Sequence, residues 1–535
     1  MVAELEFPGL RNNGRPFISP HTRIGLMVYP QPPWDDVFVP PRMTTAIDLG
    51  WDLDKAQASS IQFGWNKQMG QPAGSWNAVV KQKYDGLTGR PYLELGDQAI
   101  VDGDWVDITI RRNGVPIPLC RGVVDTVREQ KTSAGGATVA TYTLTGRDHG
   151  AFFDYPITWN NIYIRTLGEY VGGLFQQRVE GKVGGRPDEL FKALIEATFV
   201  KGTVAGPWEI PPALAELTNT ESLFDLLKIV PFRASKYTDG LRGAYYNEPQ
   251  LWTTGGQTLH QTLAEWTNPM LNEYWYDLLP PGAFMPKHGL NAFLSGFSLE
   301  EGLIGTGLET LKGPSIEADH KNFGTLAAFI RERPFPSTIE GKDSMWSELP
   351  TWIIPTWLIA DSDLGRGGAQ RYNLFELLAD FGLGPQAEQA MQAKPVWHPS
   401  SIRTHGLRTY QQHTKFYAQD AGGIGSWMGE RERWQRLLVD WFSPNPFFIQ
   451  GTITTKVVLP EIRIGHRVIL APGDDPNQWT TFYVEGTNHG ISGTAEPATP
   501  ISGNSVFVLT RGFKGSDEEL LSMVEDTSSF FEEVF

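Results

Sequence analysis

The sequence predicts a multidomain α+β protein with two small antiparallel β-barrel domains, a mixed α/β middle region and a short C-terminal helix. Three observations lead there. At 535 residues the chain exceeds what one hydrophobic core usually serves, so several domains are expected. Short runs rich in β-branched and aromatic residues, bounded by Gly, Pro, Asn or Asp, appear in two separate stretches. Between and after them the apolar period changes from two to that of helices. With 57 Gly, 38 Pro, 18 Trp, 16 Tyr and 29 Phe, the composition suits many short strands whose cores rely on aromatic rings.

Residues 1–40 contain Pro8, Pro16, Pro20, Pro30, Pro32, Pro33 and Pro40 without a sustained period, which reads as an extended Pro-rich arm lying along another surface. Residues 41–150 form the first predicted β-barrel. In Trp105 to Arg111, Val106, Ile108 and Ile110 alternate with Asp107, Thr109 and Arg111, the pattern of a half-buried strand. Asn77 to Lys83, Leu119 to Val127 and Ala137 to Leu144 continue a meander through turns at Asn113-Gly114 and Ser133 to Gly136.

Residues 151–320 are the mixed middle domain. Thr218 and Glu221 have capping-box spacing, and Leu223, Leu226, Leu227 and Val230 form one helical stripe ending near Pro231. Leu259, Leu263 and Trp266 mark a second helix, stopped at Asn268-Pro269.

Residues 321–515 form the second predicted barrel, with a helical insert at about 376–442. Trp434, Leu437, Leu438 and Trp441 give that insert a helical stripe, and Ser443 to Pro446 ends it. Strand-like runs follow in Glu461 to Leu470, Thr481 to Gly490 and Val506 to Phe513. In 516–535, Ser516 and Glu519 cap a last helix bearing Leu520, Leu521 and Val524, followed by Phe530, Phe531 and Phe535 among acids. These six apolar residues are the candidate partner interface. Truncation after Gly515 is expected to impair assembly while leaving the chain folded.

The order of several motifs resembles that of the baseplate hub, or tail hub, of contractile and other long-tailed bacteriophages. They are Asp104-Trp105-Val106-Asp107-Ile108-Thr109-Ile110 with Thr145-Gly146-Arg147-Asp148; Thr267-Asn268-Pro269 running to Tyr274-Trp275-Tyr276-Asp277; and Arg331-Glu332-Arg333-Pro334-Phe335. Asp363, Gly365 and Arg366 follow with Tyr372-Asn373-Leu374-Phe375, then Ile464-Gly465-His466-Arg467-Val468, Phe482-Tyr483-Val484-Glu485-Gly486 and Leu509-Thr510-Arg511-Gly512. The marks span about residues 75–513; the stretches Arg178 to Ala215 and Pro280 to His320 have no counterpart in the pattern.

The resemblance implies a structural virion protein of the tail baseplate, assembled in the host cytoplasm. It implies a homotrimeric, pseudo-sixfold ring that adapts the sixfold tail tube to the threefold central spike. The partners implied are the tail tube protein, the central spike protein and other baseplate proteins, with DNA only in transit through the lumen. No stable membrane association is expected: the apolar segment Thr351 to Ala360 is too short for a span and carries Pro355. Nor does Met1 to Glu6 read as a secretory signal. A net charge of −16 argues against a surface that wraps nucleic acid and suits a channel through which DNA slides.

The motifs give no catalytic residue, cofactor or metal site, and the expectation is a non-enzyme. His398, His405 and His413 lack metal-ligand spacing, and Gly365 stands where a calcium loop would need an oxygen after Asp361 and Asp363. Cys120 lies in an alternating strand pattern that suits an inert thiol. Two alternatives stay open: a peptidoglycan-degrading tail-associated hydrolase, which needs only two carboxylates and an aromatic cleft, and a carbohydrate-binding tail adhesin.

Overall fold

The computed structural model describes residues 3–4, 23–29, 47–49, 51–52, 61–81, 89, 93, 100–112, 115–134, 137–154, 228–232, 258, 260–261, 264, 272–279, 325–333, 349–367, 371–379, 394–414, 435–473, 475–493 and 502–533. Calls on Leu223, Leu226, Leu227, Leu259, Leu263, Trp266, the stretches 178–215 and 280–320, and Phe535 lie outside these residues.

Among the described residues the dominant feature is one 15-stranded, mostly antiparallel sheet built from two units. The first contains strands Arg23–Tyr29, Ile61–Gln68, Ser75–Lys81, Trp105–Arg112, Val115–Ala134 and Ala137–Asp148. The second contains Thr351–Pro355, Ile359–Arg366, Ile449–Thr455, Arg467–Ala471, Thr480–Gly493 and Ser502–Lys514.

Taken in chain order, each unit places its six strands side by side as second, third, sixth, fifth, fourth, first. The two units therefore repeat one topology. The repeat extends to a detail: the register between fifth and sixth strands slips at Asp125 in one unit and at Glu485 in the other. It departs at one pairing, since the first and fourth strands run antiparallel in the first unit and parallel in the second.

Each unit has its own apolar core. Ile24, Leu26, Val28, Trp76, Ala78, Ile108 and Leu144 lie in the first, and Ile354, Ile453, Leu459, Val468, Phe482 and Phe507 in the second. Alternation accounts for this: Val106, Ile108 and Ile110 point inward from one strand because successive side chains face opposite sides.

Three expectations are corrected. Two separate closed barrels are not shown: among the described residues no closed sheet forms, and the units join edge to edge. The first unit also begins inside the arm, because Arg23–Tyr29 pairs with Trp105–Arg112 along its whole length and buries Ile24, Leu26 and Val28. The seven prolines around it mask a period of two. Further upstream, Ala3–Glu4 lies along Trp352 and Ile353 of the second unit.

The third correction concerns the middle of the chain. Val230 and Pro231 lie in strand Lys228–Phe232, which runs parallel to Thr325–Glu332, with Asn272–Leu279 on the other side. Thr325–Glu332, read as part of the second barrel, thus belongs to this three-stranded sheet. A strand can use Pro231 where a helix cannot continue through it. The insert is mixed rather than helical: helix Pro399–His405 and the helical run 435–442 accompany Leu374–Ala379, Val396–Trp397 and Thr409–Thr414 in a four-stranded sheet completed by Glu532–Glu533. Leu437, Leu438 and Trp441 of the predicted stripe are buried.

Candidate functional site

The candidate site is the seam where the units meet. Ile61–Gln68, second strand of the first unit, pairs antiparallel with residues 486–493, the far half of the second unit's fifth strand. The near half of that strand pairs with Arg467–Ala471 instead, so one strand serves two neighbours in succession. Met69 N–H donates to Glu485 carbonyl at 2.7 Å and extends the pairing to the bulge. Apolar side chains follow the same logic: Ile491 and Val458, which belong by sequence to the second unit, lie in the first core.

Buried ion pairs lie in the first unit, one of them on the seam strand Ile61–Gln68. Lys67 pairs with Asp148, both enclosed, and Asp148 also accepts Gly150 N–H at 3.0 Å. Burial raises the Asp148 carboxyl, against the opposing pull of Lys67. Arg121 forms a two-pronged contact with Asp107, at 2.5 Å for each bond. A lone buried ion would be costly, so each partner requires the other.

Arg463 ties the two units of the large sheet to the three-stranded sheet. Its guanidinium donates to the Asp277 carboxylate at 2.6 Å, to Leu119 carbonyl at 3.4 Å and to Pro118 carbonyl. Tyr483 adds a second link to the three-stranded sheet by donating to Glu273 at 2.6 Å. A flat, five-donor group is suited to such divergent acceptors.

Arg511 is the one non-glycine with positive φ among the described residues, at 53°. Its guanidinium carbon lies 3.2 Å from the Trp441 ring centroid and 5.5 Å from that of Phe448, and Nη1 donates to Trp441 carbonyl at 2.9 Å. Burial pushes its pKa down to about 9, with Glu485 pulling the other way. The backbone strain is held by this enclosure.

His489 and Ser505 have the separation of a base and a nucleophile, with Nδ1 2.7 Å from Oγ. Both are buried, however, and Ser505 Oγ also accepts Leu459 N–H at 2.8 Å. Their arrangement is that of a hydrogen-bonded core pair. Burial likewise pushes the Cys120 thiol well up, away from the thiolate a nucleophile needs. Among the described residues no group of three or more His, Cys, Asp or Glu side chains is placed to hold a metal ion.

The predicted interface residues divide. The capping box of helix Asp517–Ser529 forms as expected, and Asp517 also grips Arg467 at 2.6 Å. Leu520 and Val524 are enclosed by Leu349, Phe448 and Tyr483 of the same chain. Phe531 lies between Phe375 and His398, at centroid distances of 5.5 and 5.2 Å. Leu521 is half-buried, and Phe530, 63 % exposed, stacks on His398. The surface needed by this apolar tail is supplied largely from within the chain.

Sequence reading missed the seam and the repeat, although a signal was present. Val-Val-Asp-Thr at 123–126 and Tyr-Val-Glu-Gly at 483–486 occupy matching places around the two bulges, and each is followed by a strand containing Leu-Thr, at 144–145 and 509–510.

No family model matches the chain. No curated protein matches it either. Among solved structures it is similar to the 43 kDa tail protein of prophage MuSo2 from Shewanella oneidensis, with 10% identity and a TM-score of 0.40, over 91% of this chain and 98% of that one. It is likewise similar to the tail protein from Neisseria meningitidis MC58, with 11% identity and a TM-score of 0.39, over 92% and 96% of the two chains.

Proposed function

We propose that this chain is a structural component of a long-tailed bacteriophage tail: a hub whose three copies form a pseudo-sixfold ring between tail tube and central spike. The observation that carries the reading is the repeated strand order within one chain. A polypeptide with two like units, taken three times, offers six similar surfaces to a sixfold partner and a threefold arrangement to the other. The ordered motifs from about residue 75 to 513 support the same reading. So does the net charge of −16, which suits a lumen that DNA traverses without adhering.

In this role the seam sets the angle between the two units, and the Arg463 and Arg511 clusters hold that angle under load. Mass photometry of the purified chain, alone and co-expressed with the tail tube and spike proteins of its genome, tests the proposal. A three-chain species is expected. A chain that stays monomeric under all those conditions, or that clears a suspension of purified cell wall, overturns it.

A further inference from the structure

The repeat leaves one copy of the seam filled and the other open. Matching the two bulges aligns Val124 with Val484, Asp125 with Glu485 and Thr126 with Gly486. The half-strand 486–493, which receives Ile61–Gln68, therefore corresponds to the stretch from Thr126 onward. Val115–Ala134 pairs with Trp105–Arg112 only as far as Val123. Beyond it, among the described residues, 126–132 has a strand on one side alone, Ala137–Asp148.

The strand that would fill this edge by equivalence is Ile359–Arg366, the second of the second unit. Among the described residues it too pairs on one side only, with Ile449–Thr455. Asp361, Ser362, Asp363, Gly365 and Arg366 are exposed. Ser362 N–H turns to the adjacent Asp361 carboxylate at 2.9 Å. An exposed strand edge of this length invites pairing with another chain. In the strand order the two open edges stand on different units, on either side of the filled seam, so a head-to-tail contact between copies answers both.

We propose that the edge at 126–132 receives Ile359–Arg366 of a second copy of this chain, repeating the internal seam between molecules. The number of copies that closes the ring rests on the hub reading; the pairing itself rests on the repeat. Carrying over the register of the filled seam sets Gln130 opposite Asp363, Glu129 opposite Leu364 and Arg128 opposite Gly365. Arg128 is then diagonal to Asp363 on one face, and Glu129 diagonal to Arg366 on the other, both within the reach of cross-strand pairs. Glu129 also holds Lys131 at 3.1 Å, and that cation lies on the Glu129 face, opposite Ser362. A heterologous contact of this kind closes a ring only when the rotation per copy returns to the start.

The test is a pair of cysteines in the full chain, Gln130→Cys with Asp363→Cys, at two exposed positions that leave both cores intact. Directly opposed antiparallel residues lie within disulfide reach. Oxidation is expected to give covalent multimers ending in a closed three-chain species, absent from either single variant. The pair Gln130→Cys with Leu364→Cys, whose side chains fall on opposite faces, should cross-link at least about tenfold less. Arg128→Asp should weaken self-association, and Asp363→Arg in the same chain should restore it. If multimers form but neither the cross-link nor the charge restoration appears, the edge pairing is wrong while the hub reading stands. A chain that is monomeric throughout, without cross-link, overturns both.

Discussion

Protonation of His489 is expected to loosen the second unit at the seam. Its ring is buried, its backbone is paired with Trp65 of the first unit, and burial, aided by Arg463, pushes its pKa from 6.5 to about 3. Because the folded pKa lies below the unfolded value, the neutral ring contributes stability in full above about pH 6.5, and that contribution is lost as pH falls toward about 3. At ~1.36 kcal/mol per unit, the loss from this residue between pH 8 and pH 5 comes to about 2 kcal/mol. Asp148 and Glu485 have raised pKa values and respond in the opposite sense, so the residue is isolated by difference. Urea unfolding of the native chain and of His489→Asn, which keeps a partner for Ser505, should be followed at both pH values and constant ionic strength. The native chain should lose about 2 kcal/mol more than the variant on acidification. Equal losses, to within about 0.5 kcal/mol, would refute the argument that burial holds this imidazole neutral.

Arg463→Ala should cost about 3 kcal/mol in urea unfolding, because it leaves Asp277 enclosed without its cation and removes the tie between the two units and the three-stranded sheet. Gly122→Ala should destabilise by about 3 kcal/mol, since the new Cβ would lie 2.0 Å from Arg147 carbonyl, a backbone atom that cannot step aside; calorimetry would read this as a lowered midpoint. Trp441→Leu should lower stability by about 2 kcal/mol beyond its lost packing, through the loss of the ring under Arg511, and Arg511→Lys should recover little of the planar contact. Truncation after Gly515 removes the cover over Leu349, Phe448 and Tyr483, at about 2 kcal/mol for each buried apolar side chain withdrawn. The sequence-based expectation of a folded, assembly-deficient chain thus becomes one of a chain less stable by itself, checked by its melting temperature.

Local patterns were legible wherever a side chain's own neighbours define its state. Trp105–Arg112 shows its strand through alternation, and the terminal helix shows its start through Ser516 and Glu519, because both signals are complete within a few residues. Residues 437, 438 and 441 likewise declared a buried helical face. Val230 did not: its spacing fitted a helix, and only pairing with Thr325–Glu332 made it a strand. Arg23–Tyr29 was obscured by flanking prolines until Trp105–Arg112 supplied its partner.

By itself the sequence determined strands such as Trp105–Arg112, where the last helix begins, and that no single core could serve the whole chain. Tertiary structure alone decided that Ile61–Gln68, paired on one side with Ser75–Lys81 of its own unit, pairs on the other near the far end of the chain, and that two cores meet across that pairing. The physical reason is that a ladder is made of backbone N–H and C=O groups that every residue but proline carries alike. Side chains fix which face of a strand is buried, whereas the choice of neighbour follows from burying all faces at once. The same generality of backbone pairing leaves the edge at 126–132 fit for a strand from outside the chain.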